Sequence, residues 1–134
     1  MKERKEHGIF MVIIKKLTTP EECEQAIEKR LTELGVSQEE NINVFYDVLG
    51  LTMKKIRLQK KKTQMKVASW LGVTFQQVQK YENGINRTPF HSILIFVEKI
   101  KCDISEFTKY YDGITLSTNA KQNAKEIAYE QPNA

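Results

Sequence analysis

The stretch TQMKVASWLGVTFQQVQKYENG, residues 63–84, decides how this chain reads. A small residue, Ala68, stands four positions before Gly72, and a branched aliphatic, Val78, stands six positions after it. That spacing describes two short helices crossing through a tight turn. Ala68 has to be small because a larger side chain would push the crossing helices apart. Val78 packs beneath the crossing, with Leu71 and Val73 beside it. Thr63 and Thr74 sit where hydroxyls cap helix starts, and Gln77, three residues after Thr74, completes a capping-box pattern. Gly72 permits the left-handed backbone of the turn. Asn83-Gly84 is a typical helix stop.

Both flanks of this stretch are helical in pattern. Upstream, Met53, Ile56 and Arg57 share one face of a helix ending near Lys61. Downstream, Thr88-Pro89 opens a helix with Ile93, Leu94, Val97 and Ile100 inward. Asp103 through Glu106 open a short one anchored by Phe107 and Tyr110. Nearer the start, Thr19-Pro20-Glu21-Glu22 combines a cap, a proline at the first helical position and a capping box. Ala26, Ile27, Leu31 and Leu34 then keep helical spacing up to Gly35. Ser37 to Glu40 repeats the box pattern and opens a helix with Val44, Phe45, Val48 and Leu49. At Gly50 the pattern changes to that of the unit built around residues 63–84. Residues 8–16, GIFMVIIKK, are β-branched and apolar and predict a short strand. One strand needs a partner, either elsewhere in the chain or on a second subunit. Residues 1–8 read as polar and frayed. Residues 113–134 read as a flexible tail with weak helix at 120–129. The division this predicts is an N-terminal strand-plus-helix extension (1–40), a mostly α unit (41–112) and the C-terminal tail (113–134).

Composition bounds the chemistry. The 134 residues are 40% hydrophobic and 28% charged, ordinary for a soluble globular protein. Cys23 and Cys102 have no CxxC partner and no histidine cluster, which argues against zinc or a disulfide framework and fits a reducing cytoplasm. The apolar run Ile9 to Ile14 is too short to span a membrane. It also lacks the small-residue cleavage site of a secretory signal. No Ser/His/Asp set, metal-ligand spacing or glycine-rich phosphate loop is visible, so neither an enzyme nor a cofactor is predicted. His7 and His91 read as ordinary surface or helix residues.

The net charge of +4 is unevenly spread. Residues 1–47 carry seven Lys/Arg and ten Asp/Glu, and residues 82–134 carry six and seven. Residues 48–81 carry eight Lys/Arg and no acid. A solvated helix face usually mixes signs, so this run points to a polyanion-facing surface. The second helix of the crossing, 75–82, presents side chains suited to base edges. Gln pairs with adenine, Lys contacts guanine, and Phe or a Thr methyl touches the thymine methyl. Thr74, Phe75, Gln76 and Lys80 are therefore the candidate base contacts; Gln76 and Lys80, four apart, share a face. Thr63 and Gln64 sit at a helix N-terminus that favours phosphate. With Lys61, Lys62, Lys66, Gln77, Asn83, Asn86 and Arg87 they are the candidate DNA-backbone contacts. The bland alternative is a row of exposed helix formers.

Gly50, Arg57, Thr63-Gln64, Val67-Ala68, Leu71-Gly72-Val73, Val78, Tyr81-Glu82-Asn83-Gly84 and Pro89 occur in an order specific as a set. On these residues, positions 49–108 resemble the Cro/phage-repressor (XRE-type, Cro/C1) helix-turn-helix family of bacterial and phage transcriptional regulators. The resemblance implies a five-helix, lambda-repressor-like DNA-binding domain, usually acting as a dimer on a two-fold DNA site. It maps recognition positions onto Thr74, Phe75, Gln76 and Lys80, and phosphate-binding positions onto Gln64 and Asn83. It also implies a structural pair between Arg57 and Glu82. Lys61, Lys62, Met65 and Lys66 depart from the family pattern, the lysines toward more positive charge. Trp70 replaces a usually polar position. The expected function is a sequence-specific repressor, homodimeric, cytoplasmic and bound to double-stranded DNA. The other class kept open is an antitoxin or accessory protein-interaction module, with a protein partner engaging the N-terminal extension or Trp70.

Overall fold

A helix of 22 residues, α3 (Gln38–Gln59), is the spine on which the other elements are hung. In the computed structural model, residues 8–35 and 37–111 are described. The elements before α3 are α1 (Gly8–Lys15) and α2 (Pro20–Leu31). Those after it are α4 (Gln64–Leu71), α5 (Phe75–Glu82), α6 (Phe90–Ile100), α7 (Ser105–Thr108) and a 3-10 turn at Lys109–Tyr111. The mostly helical architecture follows the sequence pattern, with two corrections.

The strand expected at residues 8–16 is a helix, and the described residues contain no strand. Burial explains the change. Phe10, Ile14 and Leu17 are spaced four and three apart, which places them on one side of a helix. Ile14 is fully buried, with Phe10 and Leu17 packed in the same cluster. A strand would have turned Val12 inward with Phe10 and Ile14, yet Val12 is 49% exposed. Helical burial periodicity has outweighed the β-branched composition. The end of α1 is held by Lys54, whose Nζ donates to the Ile14 carbonyl at 2.7 Å.

The second correction concerns Gly50. No break occurs there; α3 runs through it without interruption. A Cβ at Gly50 would lie 2.1 Å from the Tyr81 carbonyl oxygen. The glycine lets the last turn of α5 lie directly on α3, a close approach that no other residue permits.

Two apolar clusters share α3. The first joins Ile14, Ile27, Val44, Val48 and Leu51, with Tyr110 and Tyr111 against it. The second joins Leu49, Met53, Ile56, Ala68, Val78, Phe96 and Phe107 among others. Side-chain bonds fasten the first cluster. Thr19 and Glu22 form a complete capping box at the start of α2. Arg30 reaches from α2 to the buried Asp47 at 2.9 Å, to Glu40 at 3.2 Å and to Glu33. Lys55 Nζ donates to Glu24 at 3.1 Å and to the Tyr110 hydroxyl at 2.6 Å, and that hydroxyl donates to Glu24 at 2.6 Å. The Tyr111 hydroxyl donates to the Phe45 carbonyl at 2.9 Å. These last bonds tie the end of α7's chain segment back onto α3. The boundary drawn at residue 40 falls inside the first turn of α3, and the tail predicted at 113–134 lies outside the described residues.

Candidate nucleic-acid interface

The crossing of α4 and α5 is built from caps and one left-handed residue. The Thr63 hydroxyl accepts from the Lys66 N–H at 3.0 Å, and the Thr74 hydroxyl from the Gln77 N–H at 3.2 Å. Between the helices Gly72 has φ +69°, and the Val73 N–H returns to the Ala68 carbonyl at 3.1 Å. Nothing stands within 4 Å of a Cβ built on Gly72, so its backbone angle alone calls for glycine. Ala68, Leu71 and Val78 are buried at the crossing.

A chain of polar bonds orients the two helices from beneath. Arg57 donates to Glu82 through Nε at 2.7 Å and through a terminal nitrogen at 3.1 Å. This is the bidentate geometry in which an arginine–carboxylate pair is strongest. Arg57 also donates to the Lys62 carbonyl at 2.9 Å, fixing the loop that leads into α4. Glu82 accepts a further bond from the Gln64 amide nitrogen at 2.9 Å. The Gln64 amide oxygen in turn accepts from the Gln79 side chain at 3.2 Å. The N-terminus of α4 is thereby locked to the middle of α5. Gln79 was not among the base or backbone candidates. The signal for it lay in spacing: it is one turn beyond Phe75, on the face of α5 turned toward Gln64.

The outward face of α5 begins with Thr74, Phe75 and Gln76, all exposed, Phe75 at 40%. Gln77, Gln79 and Lys80 are half-buried. Lys61, Lys62, Thr63 and Lys66 are exposed around the start of α4, with Gln64 half-buried among them. Asn83 is only 6% exposed, at the C-terminal cap of α5. Beyond it the N–H groups of Ile85 and Asn86 fold back onto the Lys80 carbonyl. That turn brings the exposed Arg87 alongside the end of α5.

The acid-free run of eight cations does not face outward as a whole. Lys54, Lys55 and Arg57 are buried, each with a partner inside the fold. Burial pushes the Lys54 ammonium below its ordinary pKa. Lys60, Lys61, Lys62 and Lys66 remain exposed and Lys80 half-buried. The basic surface is thus smaller than the sequence count, and concentrated at the entry to α4.

The sequence model of the helix-turn-helix family matches residues 53–107. Residues 53–107 are a helix-turn-helix domain. The family is one of DNA-binding regulators. No curated protein and no solved structure matches the chain. The match begins part-way along α3, so α1, α2 and the first half of α3 lie outside the helix-turn-helix domain as the family defines it.

Trp70, out of pattern in this domain, is half-buried and packs edge-on toward Phe96, ring centroids 6.5 Å apart. Its indole therefore serves the domain's own core. Cys23 is buried, and desolvation raises its thiol pKa to about 11, which leaves it protonated and unreactive at neutral pH. Among the described residues no helix is long and apolar enough to cross a membrane.

Proposed function

We propose that this protein is a sequence-specific DNA-binding transcriptional regulator that represses by occupying its site, reading the major groove with α5. The observation that carries this reading is the pairing of two surfaces. The N-terminal half of α5 is open, and a cluster of exposed lysines stands at the entry to the neighbouring α4. A groove-reading helix needs the first surface for base edges, and the second supplies the phosphate contacts that set register.

In this reading Thr74, Phe75, Gln76 and Lys80 contact bases. Lys61, Lys62, Thr63, Gln64, Lys66, Gln77, Asn83, Asn86 and Arg87 contact the backbone. Gln64 has one amide hydrogen left after its bond to Glu82, enough for one phosphate oxygen. Residues 41–112 form the DNA-binding unit, with residues 1–40 and 113–134 as its extension and tail. The protein acts as a homodimer on half-sites about one helical turn apart or a multiple of it. Selecting bound sequences from a random DNA pool tests the assignment. The Gln76→Ala and Lys80→Ala proteins should each lose about 1–3 kcal/mol of discrimination per good contact. An unchanged sequence preference in the double variant removes these residues from the reading face.

A second reading, an antitoxin or accessory interaction module, draws support from Phe90 and Leu94. These stand one turn apart on α6, 73% and 45% exposed; Leu94, expected inward, is turned outward, and Phe96 is fully buried instead. A gel shift on random duplex at low salt separates the two readings, since absence of any binding there leaves only the interaction module.

A further inference from the structure

Three arginines lie among the described residues, and they are used in two ways. Arg30 and Arg57 are buried and donate to carboxylates, Arg57 also to the Lys62 carbonyl, and Arg30 lies over the Phe10 ring as well, 5.5 Å from its centroid. Arg87 is exposed, and its guanidinium lies over the face of the Tyr46 ring, 4.9 Å from the centroid. A cation–π contact of this kind holds the guanidinium at the ring, and its fork of five N–H donors exceeds what one ring can engage. A free arginine loses rotamer entropy when it grips a phosphate; one already held against a ring loses less.

Tyr46 is itself fixed. It is half-buried on the first half of α3, with the Phe45 ring edge-on at 5.0 Å. Phe45 packs on Tyr111 at 4.7 Å, and the Tyr111 hydroxyl is bonded to the Phe45 carbonyl. A rigid aromatic row therefore runs from the end of the described chain to Arg87, which flanks the C-terminal end of α5. Residue 46 lies outside the family match at 53–107, so this support is an addition to the helix-turn-helix domain.

We propose that Tyr46 is a positioning residue for DNA binding: its ring holds the Arg87 guanidinium in place, ready to donate to a phosphate beside α5. The proposal rests on the DNA-binding reading above. The test uses the full chain, a 30-base-pair random-sequence duplex and a salt titration. Arg87→Ala should flatten the slope of log K against log salt by about 0.9, the loss of one phosphate contact. Tyr46→Leu should weaken binding roughly two- to five-fold, because the ordering of one rotamer-rich side chain that the ring now supplies in advance would fall to the binding step. Tyr46→Phe keeps the ring and should bind as the parent does. In an Arg87→Ala background Tyr46→Leu should have no further effect. In the free protein, NMR should show a ring-current shift on the Arg87 side-chain protons that Tyr46→Leu abolishes and Tyr46→Phe retains.

The proposal is overturned by any of three results. One is a Tyr46→Phe protein as weak as Tyr46→Leu, which would assign the effect to the hydroxyl. Another is an undiminished Tyr46→Leu loss without Arg87, which would assign it to packing. The third is an unchanged slope in Arg87→Ala. Failure of the parent protein to bind the duplex at low salt would instead overturn the DNA-binding reading, and the proposal with it, while the NMR shift reports on the stacking alone.

Discussion

At the N-terminal end of α3, Arg30 enters from α2 and is met by Asp47, Glu33 and Glu40. At the other end, Arg57 leaves α3 and meets one carboxylate, Glu82 of α5. The chemistry is the same, but the balance differs. Three acids against one arginine leave the first end negative. One against one leaves the second end neutral, so the lysines around the start of α4 are not opposed. The same helix thus carries a self-contained, acid-rich half and a half whose positive field is open to a polyanion. Electrostatic attraction of this kind raises encounter rates without being tied to sequence.

The largest expected effect breaks the second tie. Glu82→Ala strands Arg57 in the interior and also frees Gln64, and should cost about 3–5 kcal/mol in urea unfolding. Glu40→Ala at the opposite end should cost less than about 1 kcal/mol, because Arg30 keeps Asp47 and the Glu40 side chain is partly exposed. Equal losses would mean that the two ties are interchangeable and the comparison fails.

Gly50→Ala comes next. The added methyl meets the backbone of Tyr81, which cannot swing aside as a side chain can. The expected cost is about 1–3 kcal/mol of overpacking, with α5 displaced and DNA affinity falling further than stability accounts for. Gly72→Ala meets no atom and should cost only about 1 kcal/mol, from the left-handed angle. A Gly50→Ala protein as stable as the parent would show that α5 can slide along α3.

Tyr110→Phe probes the face of α3 that packs on α2. It removes a hydroxyl that accepts from Lys55 and donates to Glu24, while those two remain 3.1 Å apart. A loss of about 1–1.5 kcal/mol is expected. Binding to random duplex should be unchanged; a changed salt slope would show that the two halves of α3 are electrostatically coupled.

What could be read from the sequence was local. Thr19, Thr63 and Thr74 cap helices because a hydroxyl three residues before an orphan N–H has one good use, and Gly72 adopts the angle its turn demands. What could not be read depended on a second element. Gly50 looked like a boundary, and only the path of α5 turns it into a contact surface. The run at 8–16 had strand composition, while the one fact favouring helix was that Phe10, Ile14 and Leu17 meet the same core. The basic run holds eight cations, but Lys54, Lys55 and Arg57 point inward to an α1 carbonyl, to Glu24 and to Glu82. Charge along a sequence carries no sign of which side of a helix it leaves from until the helix is packed.

The smallest effect separates stability from binding at two lysines. Lys61 and Lys101 both hold left-handed backbone angles, φ +56° and +61°, and both are exposed. For an L-residue that conformation is strained, and glycine relieves it. After allowing for the greater freedom of glycine in the unfolded chain, each Lys→Gly change should stabilise by about 0.5–1 kcal/mol. Lys101 closes α6 and is not among the proposed DNA contacts, so its replacement should leave DNA binding untouched. Lys61 stands in the exposed lysine cluster before α4, so the same gain in stability should come with weaker binding to every duplex and a salt slope flatter by about 0.9. If Lys61→Gly binds with the parent's slope, the residue is merely strained, and the phosphate-facing surface shrinks to Lys62 and its neighbours on α4.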